Sequence, residues 1–160
     1  MLTLPSIWPA GIDTHQIAPS RASAPAQARK SGPTILLVDD DSSVRSSICR
    51  ALTAEGLRVV PARGVKDALD CLNLMTPDLV ITDLCMTLLS GWDLIAYLGD
   101  HYPALPIIVI SALSEKSAGG VGRVAAAFLQ KPLGPETLLA AIQHELDWPR
   151  SSERISGARS

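Results

Sequence analysis

The chain has 160 residues, of which 47% are hydrophobic and 19% are charged, and this length fits one domain with a proper core but not two large ones. Residues 34–147 carry 14 acidic and 8 basic side chains, a net charge of −6, whereas the first 33 and the last 13 residues each carry +2. An acidic body argues against nucleic-acid binding by the domain itself. No apolar run approaches the roughly 20 residues of a membrane span, and the N-terminus lacks the basic flank of a signal peptide. We therefore expect a cytoplasmic protein without a membrane partner.

The composition divides the chain into three parts. Residues 1–32 contain four prolines among Ala, Ser and Gln and sustain no helical or strand period, which is typical of disorder. We predict a disordered N-terminal extension over residues 1–32, one folded domain over residues 33–147 and a flexible tail over residues 148–160. The three cysteines, Cys49, Cys71 and Cys85, lack metal-ligand spacing and are expected to be free thiols.

The first half of the domain alternates short apolar runs with stripes of apolar residues at helical spacing. In chain order it predicts a strand over Ile35–Val38, a helix over Ser42–Glu55, a strand over Leu57–Val60, a helix around residues 65–72 and a strand over Leu79–Thr82. Gly56 is a typical residue just after a helix, because it adopts left-handed backbone angles at low cost. Asp41 or Ser42 is expected to cap the first helix.

The second half continues the alternation but contains one weak helix. In chain order it predicts a helix from Gly91 to about His101, a strand over Pro106–Ile110, a helix within residues 114–126, a strand over Ala127–Gln130 and a last helix from Pro135 that ends before Pro149. Ser90 and Asp93 resemble a capping box at the start of the third helix. The fourth helix contains three glycines, each of which costs roughly 1 kcal/mol in a helix interior, so we expect it to be short or irregular.

Five apolar strands that alternate with helices indicate an α/β fold, a mostly parallel sheet with helices on both faces. Ligands bind such sheets beyond the carboxyl ends of the strands. Four of the five strands are followed there by polar residues, namely Asp39, Asp40 and Asp41, then Asp83, Ser111 and Lys131. Adjacent carboxylates repel one another, and an oxygen-rich site suits Mg²⁺. A carboxylate beside Mg²⁺, a lysine and a hydroxyl are the groups that phosphoryl transfer needs.

Each of these polar residues also has a common structural role. A lone aspartate after a strand is usually a helix N-cap, a lone lysine is usually solvated, and a lone serine is usually a turn residue. Their joint placement after four strands favours the functional interpretation.

Four motifs occur in a characteristic order and spacing: VDD at Val38–Asp40, ITDLCM and GW around Asp83, IVISA ending at Ala112, and FLQKP at Phe128–Pro132. With them the chain resembles the receiver domain of two-component response regulators over about Thr34–Leu146. The resemblance implies a doubly wound, flavodoxin-like sheet of five strands in the order 2-1-3-4-5. It also implies a protein that accepts a phosphoryl group from a histidine kinase or phosphotransfer protein, with Mg²⁺ as cofactor, and signals to a downstream protein target.

The resemblance implies an acceptor and a metal site. Asp83 is the expected phosphoacceptor, and Asp39 and Asp40 match the acidic pair that holds Mg²⁺, with Asp40 as a direct ligand. The carboxylate of Asp83 and the main-chain carbonyl of Cys85 are the further expected ligands.

The remaining matches are implied to bind the phosphoryl group and to transmit its presence. Ser111 is expected to bond the phosphoryl group and to move toward it, and Lys131 is expected to pair with a phosphoryl oxygen. The Lys131–Pro132 peptide bond is expected to be cis. Phe128 stands at the aromatic switch position and, having no hydroxyl, is expected to act through packing alone.

Three features depart from the family pattern. Thr87 stands where the family usually has proline, so the loop after Asp83 is expected to be looser. The segment between Ser111 and Lys131 is slightly short and glycine-rich, which puts the output face in question. The chain ends about a dozen residues after the last helix, and we therefore expect a stand-alone receiver.

Two other functions remain open. The glycine-rich fourth helix and Thr87 suit an interaction module with the receiver fold whose binding does not depend on phosphorylation. Asp39 and Asp41 also fit the DxD start of haloacid-dehalogenase-like phosphatases, with Asp39 as nucleophile and Asp41 as general acid. A phosphatase of this kind would leave Asp83 unused, and the chain lacks the further acidic motif that such enzymes have after the lysine that Lys131 would match.

Overall fold

The computed structural model describes residues 32–87, 90–119 and 124–147. These residues form five strands and four helices, which are, in chain order, β1 (Thr34–Val38), α1 (Ser42–Ala54), β2 (Arg58–Ala62), α2 (Val65–Leu74), β3 (Leu79–Asp83), α3 (Gly91–His101), β4 (Ile107–Ser111), β5 (Ala127–Gln130) and α4 (Pro135–Leu146). The predicted disorder of the N-terminal extension and of the C-terminal tail concerns residues 1–31 and 148–160, which lie outside the described residues.

The five strands form one parallel sheet in the order β2-β1-β3-β4-β5, which confirms the doubly wound arrangement. The three inner strands are buried along their whole length, as expected for a sheet covered on both faces. The strand order reverses between β1 and β3, because β1 pairs with β2 on one side and with β3 on the other. The carboxyl ends of β1 and β3 therefore lie side by side.

Alternate residues of the inner strands contribute to two hydrophobic clusters, one on each face of the sheet. On β1, Leu36 and Val38 belong to the cluster that contains residues of α2 and α3. Ile35 and Leu37 belong to the other cluster, which contains residues of α1 and α4. This alternation follows from the two-residue period of a strand. Helices on both faces thus hold the strands, and with them the carboxyl-end rim, in place.

Strand β2 and the segment after β4 differ most from their sequence prediction. Strand β2 continues to Ala62, through Pro61, which is tolerated because β2 is an edge strand and needs no hydrogen bond from that residue. The predicted fourth helix is replaced by turns over residues 115–119, while residues 120–123 lie outside the described part of the chain. The expectation of an irregular segment is therefore confirmed for the residues that the structure describes.

The helix caps follow the local sequence. Asp41 caps α1, since its side chain accepts hydrogen bonds from the amides of Ser43 and Val44. Ser90 and Asp93 form the predicted capping box of α3. Gly56 has a φ of 85°, which glycine adopts readily.

The three cysteines are free thiols, as expected. No helix within the described ranges is both long and apolar enough to cross a membrane.

Candidate functional site

Asp39 is buried at the point where β1 ends and is only 3% exposed. Its amide donates to the carbonyl of Ala62 on β2 at 3.2 Å, so the main chain here is still tied to the sheet. Its Oδ1 atom accepts a 2.8 Å hydrogen bond from the amide of Asp41, and its carbonyl accepts a 2.6 Å hydrogen bond from Nη1 of Arg45. These contacts orient the second carboxylate oxygen, Oδ2, toward the neighbouring strand ends.

Asp83 is the last residue of β3 and is 7% exposed. Its Oδ1 atom accepts a 2.9 Å hydrogen bond from the amide of Cys85. Gly91, the first residue of α3, packs against the carbonyl of Asp83 so closely that a Cβ there would overlap it. The Asp83 main chain is thus closely packed by the start of α3, and its carboxylate is held by the loop that follows β3.

Lys131 connects these two carboxylates. Its Nζ atom lies 2.6 Å from Oδ2 of Asp83 and 3.2 Å from Oδ2 of Asp39, and its side chain is 25% exposed. Its amide donates to the carbonyl of Ser111 at 2.8 Å, which ties the end of β5 to the end of β4. The peptide bond between Lys131 and Pro132 is cis, as expected. Three residues that are far apart in the sequence therefore meet through one ammonium group.

The pKa values in this cluster reflect burial and the shared ammonium. Burial raises the pKa of Asp39 above its ordinary value of 3.8, although the hydrogen bond from Asp41 and the charge of Lys131 oppose that rise. Burial alone would lower the pKa of Lys131, but the hydrogen bond to Asp83 and the charges of Asp39 and Asp83 outweigh it, so the pKa is raised above 10.5. Lys131 is therefore a fixed cation at neutral pH.

Ser111 and Phe128 lie beside this cluster rather than in it. Ser111 is fully buried, and its Oγ atom accepts a 3.2 Å hydrogen bond from the amide of Leu113 and lies 3.8 Å from Sγ of Cys85. Phe128 lies inside β5, is half-buried and packs against the cluster that contains residues of α2 and α3. Ser111 is thus at the rim, while Phe128 belongs to the packing on one face of the sheet.

Asp40 is exposed and makes its contacts with the loop after β3, not with the buried carboxylates. Its Oδ2 atom accepts hydrogen bonds from the amide of Thr87 at 3.1 Å and from the Thr87 hydroxyl at 3.0 Å. Sequence reasoning identified both residues but not their contact, because it depends on the conformation of two loops. The contact of Arg45 with the carbonyl of Asp39 was missed because it depends on a side-chain rotamer in α1.

The donors at this rim suit Mg²⁺ in kind, since carboxylate and carbonyl oxygens are the ligands that a hard cation prefers. Asp39 and Asp83 already converge, with Lys131 supplying the positive charge between them. Within the described residues, however, no three His, Cys, Asp or Glu side chains are arranged as a ready metal site. The donors present therefore fit the cation in kind, while Oδ2 of Asp40 is engaged by Thr87.

A sequence model described as response regulator receiver domain matches residues 35–143, in agreement with the resemblance noted above. The chain is 31% identical over 128 residues to the DNA-binding transcriptional regulator NtrC of Proteus hauseri, covering 79% of this chain and 27% of NtrC. It is 37% identical over 111 residues to the response regulator MprA of Mycolicibacterium vanbaalenii, covering 68% of this chain and 48% of MprA.

The fold comparison agrees with the sequence comparisons. The crystal structure of the chemotaxis protein CheY4 of Vibrio cholerae superposes with a TM-score of 0.68 at 27% identity, covering 72% of this chain and all of CheY4. Since the chain spans less than half the length of NtrC and of MprA, a stand-alone receiver stays a prediction. The roles of the individual site residues stay predictions as well.

Proposed function

The chain belongs to the response regulator receiver domain family, and on this basis we propose that it accepts a phosphoryl group on Asp83 from the phosphohistidine of a histidine kinase or phosphotransfer protein. Members of this family are signalling proteins of two-component systems. The observation that carries the proposal is the position of Lys131, whose Nζ atom contacts Asp83 and Asp39 together. A lysine shared by two buried carboxylates is poised to follow a phosphoryl group that arrives at one of them.

The transfer replaces a phosphorus–nitrogen bond by a phosphorus–oxygen bond. A carboxylate oxygen of Asp83 attacks the phosphorus atom, and the bond to the imidazole nitrogen breaks with its electron pair remaining on the imidazole, which takes up a proton. Asp39 and Asp40, with the Asp83 carboxylate and the main-chain carbonyl of Cys85, are the groups that would hold Mg²⁺, which would supply positive charge to the phosphoryl oxygens.

The residues around Asp83 stabilise the product. The hydrogen bond that Nζ of Lys131 donates to Oδ2 of Asp83 moves to a phosphoryl oxygen. The displacement is short because Nζ already lies 2.6 Å from Oδ2. The Ser111 hydroxyl leaves the neighbourhood of Cys85 and donates to another phosphoryl oxygen. Phe128, which lies on β5 and packs against the cluster that contains residues of α2 and α3, transmits the movement through packing because it has no hydroxyl.

The phosphodonor is proposed to approach over α1 and the segment after Lys131. A cavity of about 550 Å³ that is open to solvent lies between these elements and reaches Lys131. It is lined largely by apolar side chains, among them Val44, Ile48 and Leu133. The apolar face of α1 is thus only partly covered, since Val44 and Ile48 are half-buried. A half-covered apolar face beside the reactive group suits a protein partner, and the acidic charge of the domain argues against nucleic acid.

The direct test is phosphotransfer from a histidine kinase that carries labelled phosphohistidine, with and without Mg²⁺. We expect label on the chain only with Mg²⁺ and only while Asp83 is present. Label that transfers equally well in EDTA, or to an Asp83→Asn variant, contradicts the proposal.

Binding that does not depend on phosphorylation is the second candidate function. The observation that favours it is the segment after β4, where residues 115–119 form turns instead of a helix, since this segment lies on the expected output face. The measurement that separates the two functions is partner affinity with and without beryllofluoride, a phosphoryl mimic. An affinity that is unchanged by beryllofluoride supports the second function, and a large change excludes it.

A phosphatase that uses Asp39 and Asp41 has less support. The side chain of Asp41 caps α1, and its hydrogen bonds from the amides of Val44 and Ser43 lower the pKa of that carboxyl. A general acid must carry a proton at the working pH, and this carboxyl is held in the charged form.

A further inference from the structure

Thr87 and Asp40 are joined by two hydrogen bonds although they lie 47 residues apart. The Thr87 amide and the Thr87 hydroxyl both donate to the same carboxylate oxygen, Oδ2 of Asp40. Both residues are exposed, so this contact is not a product of burial. It ties the loop after β1 to the loop after β3, the two loops from which the metal site would be built.

The contact depends on the residue type at position 87. Proline, the residue that receivers usually have there, possesses neither an amide hydrogen nor a hydroxyl. Serine keeps both donors, whereas valine keeps the amide and replaces the hydroxyl by a methyl group of similar shape. Substitution of Thr87 by serine, valine or proline therefore gives a series in which two, one or no donors face Asp40.

The contact also sets Asp40 apart from the other acidic residues. Asp39 and Asp83 converge on Lys131, but Oδ2 of Asp40 is turned to Thr87, and no three potential ligand side chains in the described ranges are clustered for a metal ion. A cation that takes Oδ2 of Asp40 as its ligand therefore competes with two hydrogen-bond donors.

We propose that Thr87 is a positioning residue that holds Asp40 away from the cation site and so weakens Mg²⁺ binding. The proposal rests on the proposed function, because it takes Asp40 as a ligand of that site. Because Mg²⁺ and the Thr87 donors compete for one carboxylate, Mg²⁺ binding releases Thr87 and loosens the loop after β3. By thermodynamic linkage, the factor by which the Thr87 contact weakens Mg²⁺ binding equals the factor by which bound Mg²⁺ weakens that contact.

The test is calorimetric titration with Mg²⁺ alone, without a phosphodonor. Relative to the wild type, we expect Thr87→Val to bind Mg²⁺ about threefold more tightly and Thr87→Pro about tenfold more tightly, in line with the loss of one and two exposed hydrogen bonds. Thr87→Ser keeps both donors and should stay within about twofold of the wild type. This order of affinities is the signature of competition, which a general disturbance of the loop would not produce.

A second measurement addresses the contact in the absence of metal. We expect a double-mutant cycle of Asp40→Ala and Thr87→Val, read by urea unfolding in EDTA, to give a favourable coupling free energy that disappears in saturating Mg²⁺. Because this cycle does not use Thr87→Pro, it tests the contact even if that variant fails to fold.

The outcomes separate this inference from the proposed function. Equal or weaker Mg²⁺ binding by Thr87→Val, or tighter binding by Thr87→Ser as well, overturns the role of Thr87 but leaves phosphorylation of Asp83 untouched. Failure of the wild type and of all three Thr87 variants to bind millimolar Mg²⁺ overturns both.

Discussion

The Nζ atom of Lys131 donates a 2.6 Å hydrogen bond to Oδ2 of Asp83, which lies 48 residues earlier in the chain, and the same atom lies 3.2 Å from Asp39. Two carboxylates that are less than a tenth exposed thus share one cation. This relationship makes the carboxyl-end rim of the sheet a source of instability, because like charges are buried together there.

Removal of the shared cation should destabilise the metal-free protein. We expect Lys131→Met to lower the free energy of unfolding by about 2 kcal/mol in EDTA, less than the loss for a fully buried pair because Lys131 is 25% exposed. Urea unfolding measures this change. The control is Lys66→Met, which breaks an exposed pair with Asp70 and should change the stability by less than about 0.5 kcal/mol. Equal effects of the two substitutions would show that Lys131 has no special role.

The raised pKa of Asp39 has a consequence for the pH dependence of stability. Because the folded state keeps this proton at a pH where the unfolded chain has lost it, stability falls as the pH rises from about 4 through the folded pKa. Asp39→Asn removes the buried charge while its carbonyl oxygen still accepts from Asp41. We expect the metal-free variant to be about 1 kcal/mol more stable than the wild type at pH 7, with the difference vanishing toward pH 4.

Unfolding in urea at a series of pH values in EDTA tests that expectation. Asp70→Asn, which removes an exposed carboxylate, should leave the shape of the profile between pH 4.5 and 8 unchanged, as is usual for surface charges. A stability difference between Asp39→Asn and the wild type that does not depend on pH would contradict the assignment of the effect to Asp39.

The close approach of Gly91 to the end of β3 leaves no room for a side chain. A Cβ at Gly91 would overlap the carbonyl of Asp83 and lie 2.8 Å from Cα of Leu84, so α3 or the loop after β3 must shift. We expect Gly91→Ala to lower the free energy of unfolding by about 2 kcal/mol or more. Gly119→Ala is the matched control, since its added Cβ meets no atom within 4 Å. Similar stabilities of the two variants would show that the loop yields without strain.

The proposed approach of the phosphodonor can be tested with two neighbouring serines of α1. Ser47 is exposed and lines the cavity beside Lys131, whereas Ser46 is exposed and lines a different cleft. We expect Ser47→Arg to slow phosphotransfer from a histidine kinase by about tenfold and Ser46→Arg to slow it by less than about twofold. Labelling by acetyl phosphate, which needs no docking surface, should be the same in both variants. Equal transfer rates from the kinase would exclude this face as the docking surface.

Much of this architecture follows from short-range pattern. Each of the five strands appears where an apolar run predicts it. Asp39 just after β1, Asp83 at the end of β3 and Lys131 just after β5 meet because parallel strands end at one edge. The glycines after β4 predicted an irregular segment, and residues 115–119 indeed form turns. These features depend on spacing and on residue type alone.

What escaped prediction depends on contacts between loops and between a loop and a helix. The hydrogen bonds from Thr87 to Asp40 join two loops, and no pattern in either loop shows the other. Arg45 reaches the carbonyl of Asp39 from the first turn of α1, a reach that depends on a side-chain rotamer. The extension of β2 through Pro61 depends on its place at the edge of the sheet, which the strand order determines.

The measurement that tests the central claim most directly is the intact mass of the protein after incubation with acetyl phosphate and Mg²⁺. We expect the wild type and the control Asp70→Asn to gain one phosphoryl group and the Asp83→Asn variant to gain none, with EDTA abolishing the gain in every case. An unmodified wild type, or an Asp83→Asn variant modified as fully as the wild type, would contradict the assignment of Asp83 as the phosphoacceptor.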